Sequence, residues 1–342
     1  NTELYEVPKM SLVYFCACLL FTLTGLKFIR EKKITIPKTP ILTLLIAFIA
    51  IQAASTLTSI DKFTSIYGYP TRLNGGLISQ IAYLIIFTTA LINLNQIKAI
   101  RLLTVSVITA FSVSLIGILS HFNFDLTCLA LTGNINSACW EAEFNPQIRI
   151  FSTLGQPNWL ATYLVLIIPL SLSFLTTFSK GPKKIIFSAI TFSLLLALIL
   201  TGSRSGFTGL VVALVVFIFL NAKWLIQKNR KVFFVSITLF LILVITFGSP
   251  LLIRLGESLT RQKTVAGGTE TGQIRLIVWQ GAIEAFKKTP ILGNGPETFA
   301  YSYSANRPEA HNQTTEWNFF YNKAHNEFLN YLANIGLIGT LA

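Results

Sequence analysis

Long apolar runs separated by short polar connections make up most of the chain. They read as Met10–Ile29, Ile41–Leu57, Leu73–Ile92, Leu102–Ser120, Trp159–Phe178, Ile185–Thr201, Gly206–Ala222 and Val232–Ile253, and a last run, Phe328–Ala342, stops with the chain. Each complete run is near the roughly 17–25 residues that cross a hydrocarbon core as a helix, and Leu, Ile, Val and Phe fill them. Spanning strands would alternate apolar and polar positions, and these runs do not. The pattern therefore predicts an all-α, polytopic transmembrane helix bundle, because a helix satisfies its own backbone groups in lipid. Glu3 and Glu6, rather than a basic segment, precede the first run, which reads as an ordinary spanning helix and not as a cleavable leader. A chain that starts at Asn1 and stops inside an apolar run is expected to be a piece of a longer protein, with at least one further helix at each end.

Two polar segments interrupt the runs. His121–Pro157 carries Gly133-Asn134, Asn136, Pro146 and Gly155-Gln156-Pro157, turn signals that predict a compact, irregular loop. The second begins near Arg254 with Gly and Thr around Ala266-Gly267-Gly268-Thr269, then turns helical over Ile274–Lys288. There Ile274, Ile277, Val278, Ala282, Ala285 and Phe286 recur at helical spacing. Lys287 and Lys288 close this helix, and Pro290, Gly293, Gly295 and Pro296 end it. Arg275 and Trp279, four residues apart, lie on one face.

Composition agrees with the pattern: 52% of residues are hydrophobic, 12% are charged, and the mean hydropathy is +0.62. Charge adds orientation. Of 27 Lys and Arg, 14 fall in alternate connections, at Lys27–Lys38, Lys98–Arg101, Lys180–Lys184 and Lys223–Lys231. Only Lys9, Lys62, Arg72, Arg149 and Arg204 occupy the intervening short segments, so the positive-inside rule puts the first set in the cytoplasm. Alternation then places 121–157, the Gly202–Ser205 turn and the long segment 254–325 outside, with Arg204 and His325 on the same face. The net charge of +13 consists of membrane anchors rather than one basic surface, which argues against nucleic acid as a partner. Cys16 and Cys18 read as packing residues, whereas Cys128 and Cys139 lie in an outside loop where a disulfide is permitted.

Several chemistries lack their residues. The only aspartates, Asp61 and Asp125, are far apart, so the paired carboxylates of a magnesium-dependent nucleotide-sugar transferase are missing. No phosphate-binding Gly-x-x-x-x-Gly-Lys loop, His-Glu-x-x-His zinc helix or Gly-x-Ser-x-Gly elbow occurs. Arginine and histidine on the outside face suit an anionic substrate. In Thr201-Gly202-Ser203-Arg204-Ser205-Gly206, Ser203 or Ser205 can cap the next helix, and Arg204 stands at its electropositive start; an arginine reaching lipid headgroups fits the same pattern. His325, where a polar loop enters an apolar helix, can exchange a proton near neutral pH.

The run His325-Asn326, nine residues, Gly336, two residues, Gly339 resembles the C-terminal signature of the O-antigen ligase and polymerase superfamily. The Thr201–Gly206 turn is similar to that family's arginine motif. Arg275 through Trp279, Ala282, Pro290 and Gly293-Asn294-Gly295-Pro296-Glu297-Thr298-Phe299 resembles its large-loop pattern. Gly155-Gln156-Pro157-Asn158-Trp159 and the stretch around Arg72 are also similar, and the likeness is strongest from about Ile185 onward. It divides the chain into N-terminal transmembrane helices, 1–184, and an O-antigen ligase-like part, 185–342, that includes the outside loop 254–325.

The resemblance implies a multi-pass enzyme of the plasma (inner) membrane. Such an enzyme moves a glycan from undecaprenyl diphosphate to a glycan, lipid or protein acceptor hydroxyl, with inversion and without metal or cofactor. It implies His325, Arg204 and Arg275 as catalytic residues, and Arg72, Ser203, Ser205, Asn326 and Trp279 as substrate-binding ones. Ligase, polysaccharide polymerase and protein glycosyltransferase remain alternatives within the family. A secondary transporter is the rival from another class, although its usual midplane acids and histidines are scarce in these runs.

Overall fold

The structure, a computed structural model, describes residues 5–140, 145–177, 181–228 and 271–342, together with Phe234 and Thr238. Apart from those two positions, the expected run Val232–Ile253 lies outside the described residues, as does the start of the long outside segment with Ala266–Thr269. Every regular element among the described residues is helical. Among the described residues, six helices are long and apolar enough to cross a membrane: α1 (Glu6–Glu31), α2 (Pro40–Leu57), α5 (Gln96–His121), α7 (Pro157–Thr177), α8 (Pro182–Leu200) and α9 (Arg204–Lys228, apolar over Arg204–Asn221). The shorter elements in the first part of the chain are α3 (Lys62–Tyr67), α4 (Leu77–Asn93) and α6 (Leu126–Thr132). The last part adds α10 (Thr271–Lys288), α11 (Phe299–Ala305) and α12 (Glu327–Leu341).

Side-chain caps set several starts. Thr39 accepts from Leu42 N ahead of Pro40, Asn95 from Lys98 N at 2.9 Å, and Asp125 from the amides of Thr127 and Cys128. The expected run Leu73–Ile92 forms a helix only from Leu77. Leu73 is left-handed (φ 54°), Gly75 likewise (φ 84°), and the helix begins after Gly76. The loop 121–157 is less irregular than expected, since its described residues hold α6 and two short 3-10 turns, and Cys128 and Cys139 form a disulfide in it with Cα atoms 5.7 Å apart.

The chain packs as two compact units, residues 3–94 with 263–342, and residues 95–262. These units cut across the division at 184/185, which follows resemblance rather than packing. In the second unit, α5, α7, α8 and α9 enclose Leu160, Leu164, Ile168, Leu194, Leu198 and Leu210. A buried Ser171–Thr191 hydrogen bond of 2.7 Å ties α7 to α8, and small residues allow α9 to approach α7, where a Cβ on Gly206 would lie 2.5 Å from that of Ala161. Residues such as Leu12, Phe15, Phe21, Val212, Val215 and Phe219 face outward. Exposed apolar rows on membrane-length helices are the surface that a bilayer covers.

In the first unit, α1 packs on α4, α4 on α2, and α10 on α12. The last run is not one continuous helix. Gly336 takes φ 67° and ψ −169° inside α12, which breaks it in two. The amides freed by the break find other carbonyls: Leu337 N donates to Pro290 O (2.8 Å), while Ala333 O and Asn334 O accept from Asn294 N (3.1 Å) and Gly295 N (2.7 Å). Chain contact is so close that a Cβ on Gly336 would lie 2.3 Å from Ile291 O, and one on Gly293 2.4 Å from Asn334 O. Only glycine fits both the dihedral and the space. The same 290–297 loop is gripped from the other side, with Ser55 Oγ donating to Leu292 O (2.6 Å), Ile60 N to Asn294 O (2.9 Å) and Ser65 Oγ to Pro296 O (3.1 Å). The large-loop and C-terminal sequence patterns are thus two halves of one backbone junction.

Candidate functional site

His325 belongs to the first unit and sits at a left-handed turn (φ 53°) just before α12. A non-glycine residue in that region is uncommon and is held there by its surroundings. Here the holding groups are identifiable. Trp279 of α10 donates its indole N–H to Ala324 O at 3.0 Å, Asn330 Oδ1 accepts from Ala324 N at 3.3 Å, and Asn326 caps α12 by accepting from Leu329 N at 3.3 Å. Arg275, one turn before Trp279 on α10, is exposed, and its positive charge reaches the imidazole. Helical spacing on α10 thus makes one residue fix the turn and another set its field.

An aromatic cluster backs the histidine. The buried Tyr321 ring meets His325 edge-on, with centroids 5.8 Å apart and planes at 89°. Tyr321 donates its hydroxyl to the Glu316 carboxylate. Behind it, buried His311 receives the hydroxyl of Tyr303 at Nδ1 and lies 3.0 Å from Glu316 O at Nε2. A carbonyl can only accept, so the Nε2 of His311 carries the proton and its Nδ1 accepts. That assignment makes His311 a neutral core residue whose two ring nitrogens are both committed.

Electrostatics separate the two histidines and their phenols. Burial holds the His311 pKa below the ordinary histidine value and pushes Tyr303 up to about 12. Tyr321 is raised further, first by burial and then by its bond to Glu316. His325 keeps an exposed face, while the protein crowding the rest of the ring is the main reason its pKa is lowered. Arg275 adds to that lowering and Arg72 does so less, whereas Glu316 and Glu327 oppose it. Arg72 lies over the Tyr69 ring, 6.0 Å from its centroid. At neutral pH His325 is therefore an unprotonated imidazole in a positive field, able to accept a proton.

The second unit contains the other predicted group. Ser203 Oγ accepts from Gly206 N (3.2 Å), capping α9, lies 3.1 Å from Ser205 Oγ, and donates to Asn158 Oδ1 (2.9 Å). Arg204 is the exposed first residue of α9. Arg149 Nε donates to Thr201 O at 2.9 Å, and its guanidinium is 3.4 Å from Asn158 Oδ1. The Thr201–Gly206 turn and the Gln156-Pro157-Asn158 start of α7 therefore form one polar helix-start cluster carrying two arginines.

Within the first unit the structure brings His325, Asn326, Arg275, Trp279 and Arg72 together; within the second it groups Ser203, Ser205 and Arg204. Two of the residues expected to touch substrate, Trp279 and Asn326, spend their observed hydrogen bonds on backbone beside His325. Sequence reasoning missed Tyr321, Glu316, Glu297 and Lys323, because they lie in irregular loops without a periodic pattern or a familiar spacing. It also missed Arg149 and Asn158 as partners of the Thr201–Gly206 turn. Among the described residues, no three His, Cys, Asp or Glu side chains come together to hold a metal ion.

Comparison with known proteins gives one result: residues 189–342 match the family model described as O-antigen ligase. No curated protein and no solved structure matches the chain. The matched region includes the Thr201–Gly206 turn, α10, the Gly293–Gly336 junction and His325. Residues 189–342 of this all-helical chain, with its membrane-length apolar helices, are therefore similar to the O-antigen ligase family.

Proposed function

We propose that the protein transfers a glycan from an undecaprenyl diphosphate carrier to an acceptor hydroxyl at the extracytoplasmic face of the plasma membrane, as a ligase of the O-antigen type. One observation carries the proposal: an exposed, neutral imidazole fixed at a left-handed turn beside a cation, inside the part of the chain that matches this family.

In the proposed step His325 accepts the proton of the acceptor hydroxyl as its oxygen attacks the anomeric carbon. The bond from that carbon to the diphosphate oxygen breaks, and its electron pair leaves with the diphosphate. Attack opposite the leaving group inverts the anomeric centre. Arg275 stabilises the growing diphosphate charge and Arg72 adds a polar contact to the donor, while Arg204, with Ser203 and Ser205, is an anion-binding group of the second unit. Glu316, through Tyr321, faces the imidazolium as it forms. No step requires a metal or nucleotide, so EDTA should leave the rate unchanged.

The acceptor defines the rival readings within the family. A polymerase would lengthen a lipid-linked chain, and a protein glycosyltransferase would mark a Ser or Thr hydroxyl. The deciding experiment incubates purified protein with lipid-linked donor and candidate acceptors and identifies the product by gel and mass spectrometry. Transfer should disappear in His325→Ala. Rates near wild type in folded His325→Ala and Arg275→Ala would refute the mechanism.

A further inference from the structure

A second polar feature adjoins His325. Lys323 and Glu327, two residues to either side of it, line a cavity of about 40 Å³ together with Gln52, Glu297, Tyr331 and Asn334. All belong to the first unit. A water molecule's share of liquid volume is about 30 Å³, so the space admits a hydroxyl or hydroxymethyl group and excludes a whole sugar ring.

Its walls are built, not incidental. Gln52 is 2% exposed and Asn334 4%, yet Gln52 Oε1 and Asn334 Oδ1 have no hydrogen-bond partner. Buried amide oxygens are ordinarily paired, and both of these belong to residues of the cavity wall. Glu297 takes a left-handed φ of 58° and accepts from Lys323 Nζ at 3.2 Å. That pair compensates Glu297, and Glu327 leaves the lining with a net charge of −1, which disfavours phosphate. Arg275 and Arg72, the cations acting on His325, are not among the lining residues.

We infer that this cavity, lined by residues two positions to either side of the proton-accepting imidazole, is the subsite for a hydroxyl-bearing arm of a neutral sugar acceptor. The inference rests on the transfer reading, and it commits the acceptor to a carbohydrate, with the Tyr331 ring at the edge as an apolar face for the sugar.

The test measures binding and catalysis separately. The full chain in nanodiscs is titrated with methyl α-D-glucopyranoside, methyl α-D-mannopyranoside and, as a charged control, glucose 6-phosphate, followed by saturation-transfer NMR. The neutral glycosides should bind about tenfold better than the phosphate. Gln52→Met and Asn334→Leu, which keep volume while removing the acceptors, should weaken glycoside binding about tenfold, the equivalent of one lost hydrogen bond. Their thermal stability should be unchanged or raised, since each removes an unpaired polar group. Glu327→Gln at the exposed rim should reduce the preference for neutral ligands even if a buried variant fails to fold. His325→Ala should retain glycoside binding while losing transfer, so failure of the transfer reading and failure of the subsite register in different measurements. Glycoside signals insensitive to all three cavity substitutions, or a cavity that holds water only, would overturn the inference, as would equal binding of phosphate.

Discussion

Trp279 donates its indole N–H to Ala324 O at 3.0 Å, so a residue of α10 holds the peptide immediately preceding His325, 46 positions later in the chain. Because the donor reaches backbone, it fixes the turn without consuming the imidazole. Trp279→Phe keeps most of the ring and removes this bond. Transfer assays should then show kcat reduced about fivefold, in line with a hydrogen bond of about 1 kcal/mol, with the donor KM little changed and the protein still folded.

The acid limb of the pH–rate profile should report His325. Its pKa is lowered, so the imidazole is neutral at pH 7 and catalysis fails only as pH falls below the ordinary histidine value of about 6.5. Removing a neighbouring positive charge favours the protonated form: Arg275→Gln should move the limb to higher pH while reducing the maximal rate. Removing a neighbouring negative charge does the opposite, so Glu316→Gln should move it lower. Profiles of kcat/KM for the three proteins check both signs.

Tyr321→Phe retains the perpendicular ring against His325 and deletes the hydroxyl that donates to Glu316. A modest loss of rate, roughly three- to tenfold, should accompany a pH limb displaced from that of the wild type, while Tyr321→Ala, which opens a cavity under the histidine, should lose far more. Equal activity of Tyr321→Ala and wild type would remove this residue from the site.

Gly336→Ala should abolish folding of the last segment. The added Cβ meets the Ile291 carbonyl at 2.3 Å, at a left-handed dihedral that itself costs about 1–2 kcal/mol in a non-glycine residue. Reduced membrane accumulation and a lower detergent-solution Tm are the readouts. Gly133, also left-handed but with open space around its Cβ, should tolerate alanine far better.

Ser203→Ala removes the cap of α9 and the bond to Asn158, with an expected stability loss of about 1 kcal/mol. Arg204→Ala, on an exposed side chain, should leave stability unchanged and raise the KM for lipid-linked donor. Thermal melts beside donor titrations separate the two effects.

Much of this was legible along the chain. Among the described residues, the six helices long enough to span follow from apolar length, α10 from the recurrence of Ile274, Val278, Ala282 and Ala285, and His325 from its place before an apolar helix. Leu73–Ile92 started four residues late, because hydropathy does not register the positive φ of Leu73 or the glycine turn after it. Phe328–Ala342 read as one helix for the same reason: its residues are uniformly apolar, and the break at Gly336 depends on a partner loop about 40 residues earlier.

The amino-acid sequence alone determined the all-helical, membrane-spanning character of the protein, since hydropathy and charge are properties of the order of residues, and it singled out His325 and Arg204 as candidates, to which the resemblance added Arg275. Tertiary structure decided the rest: which nitrogen of His311 carries its proton, that Trp279 and Asn330 hold the turn at His325, that Tyr321 and Glu316 stand behind it, and that Gly293 and Gly336 meet. Those relationships join segments tens of residues apart through hydrogen bonds and close contacts, whose energy depends on distance in space and leaves no period in the sequence.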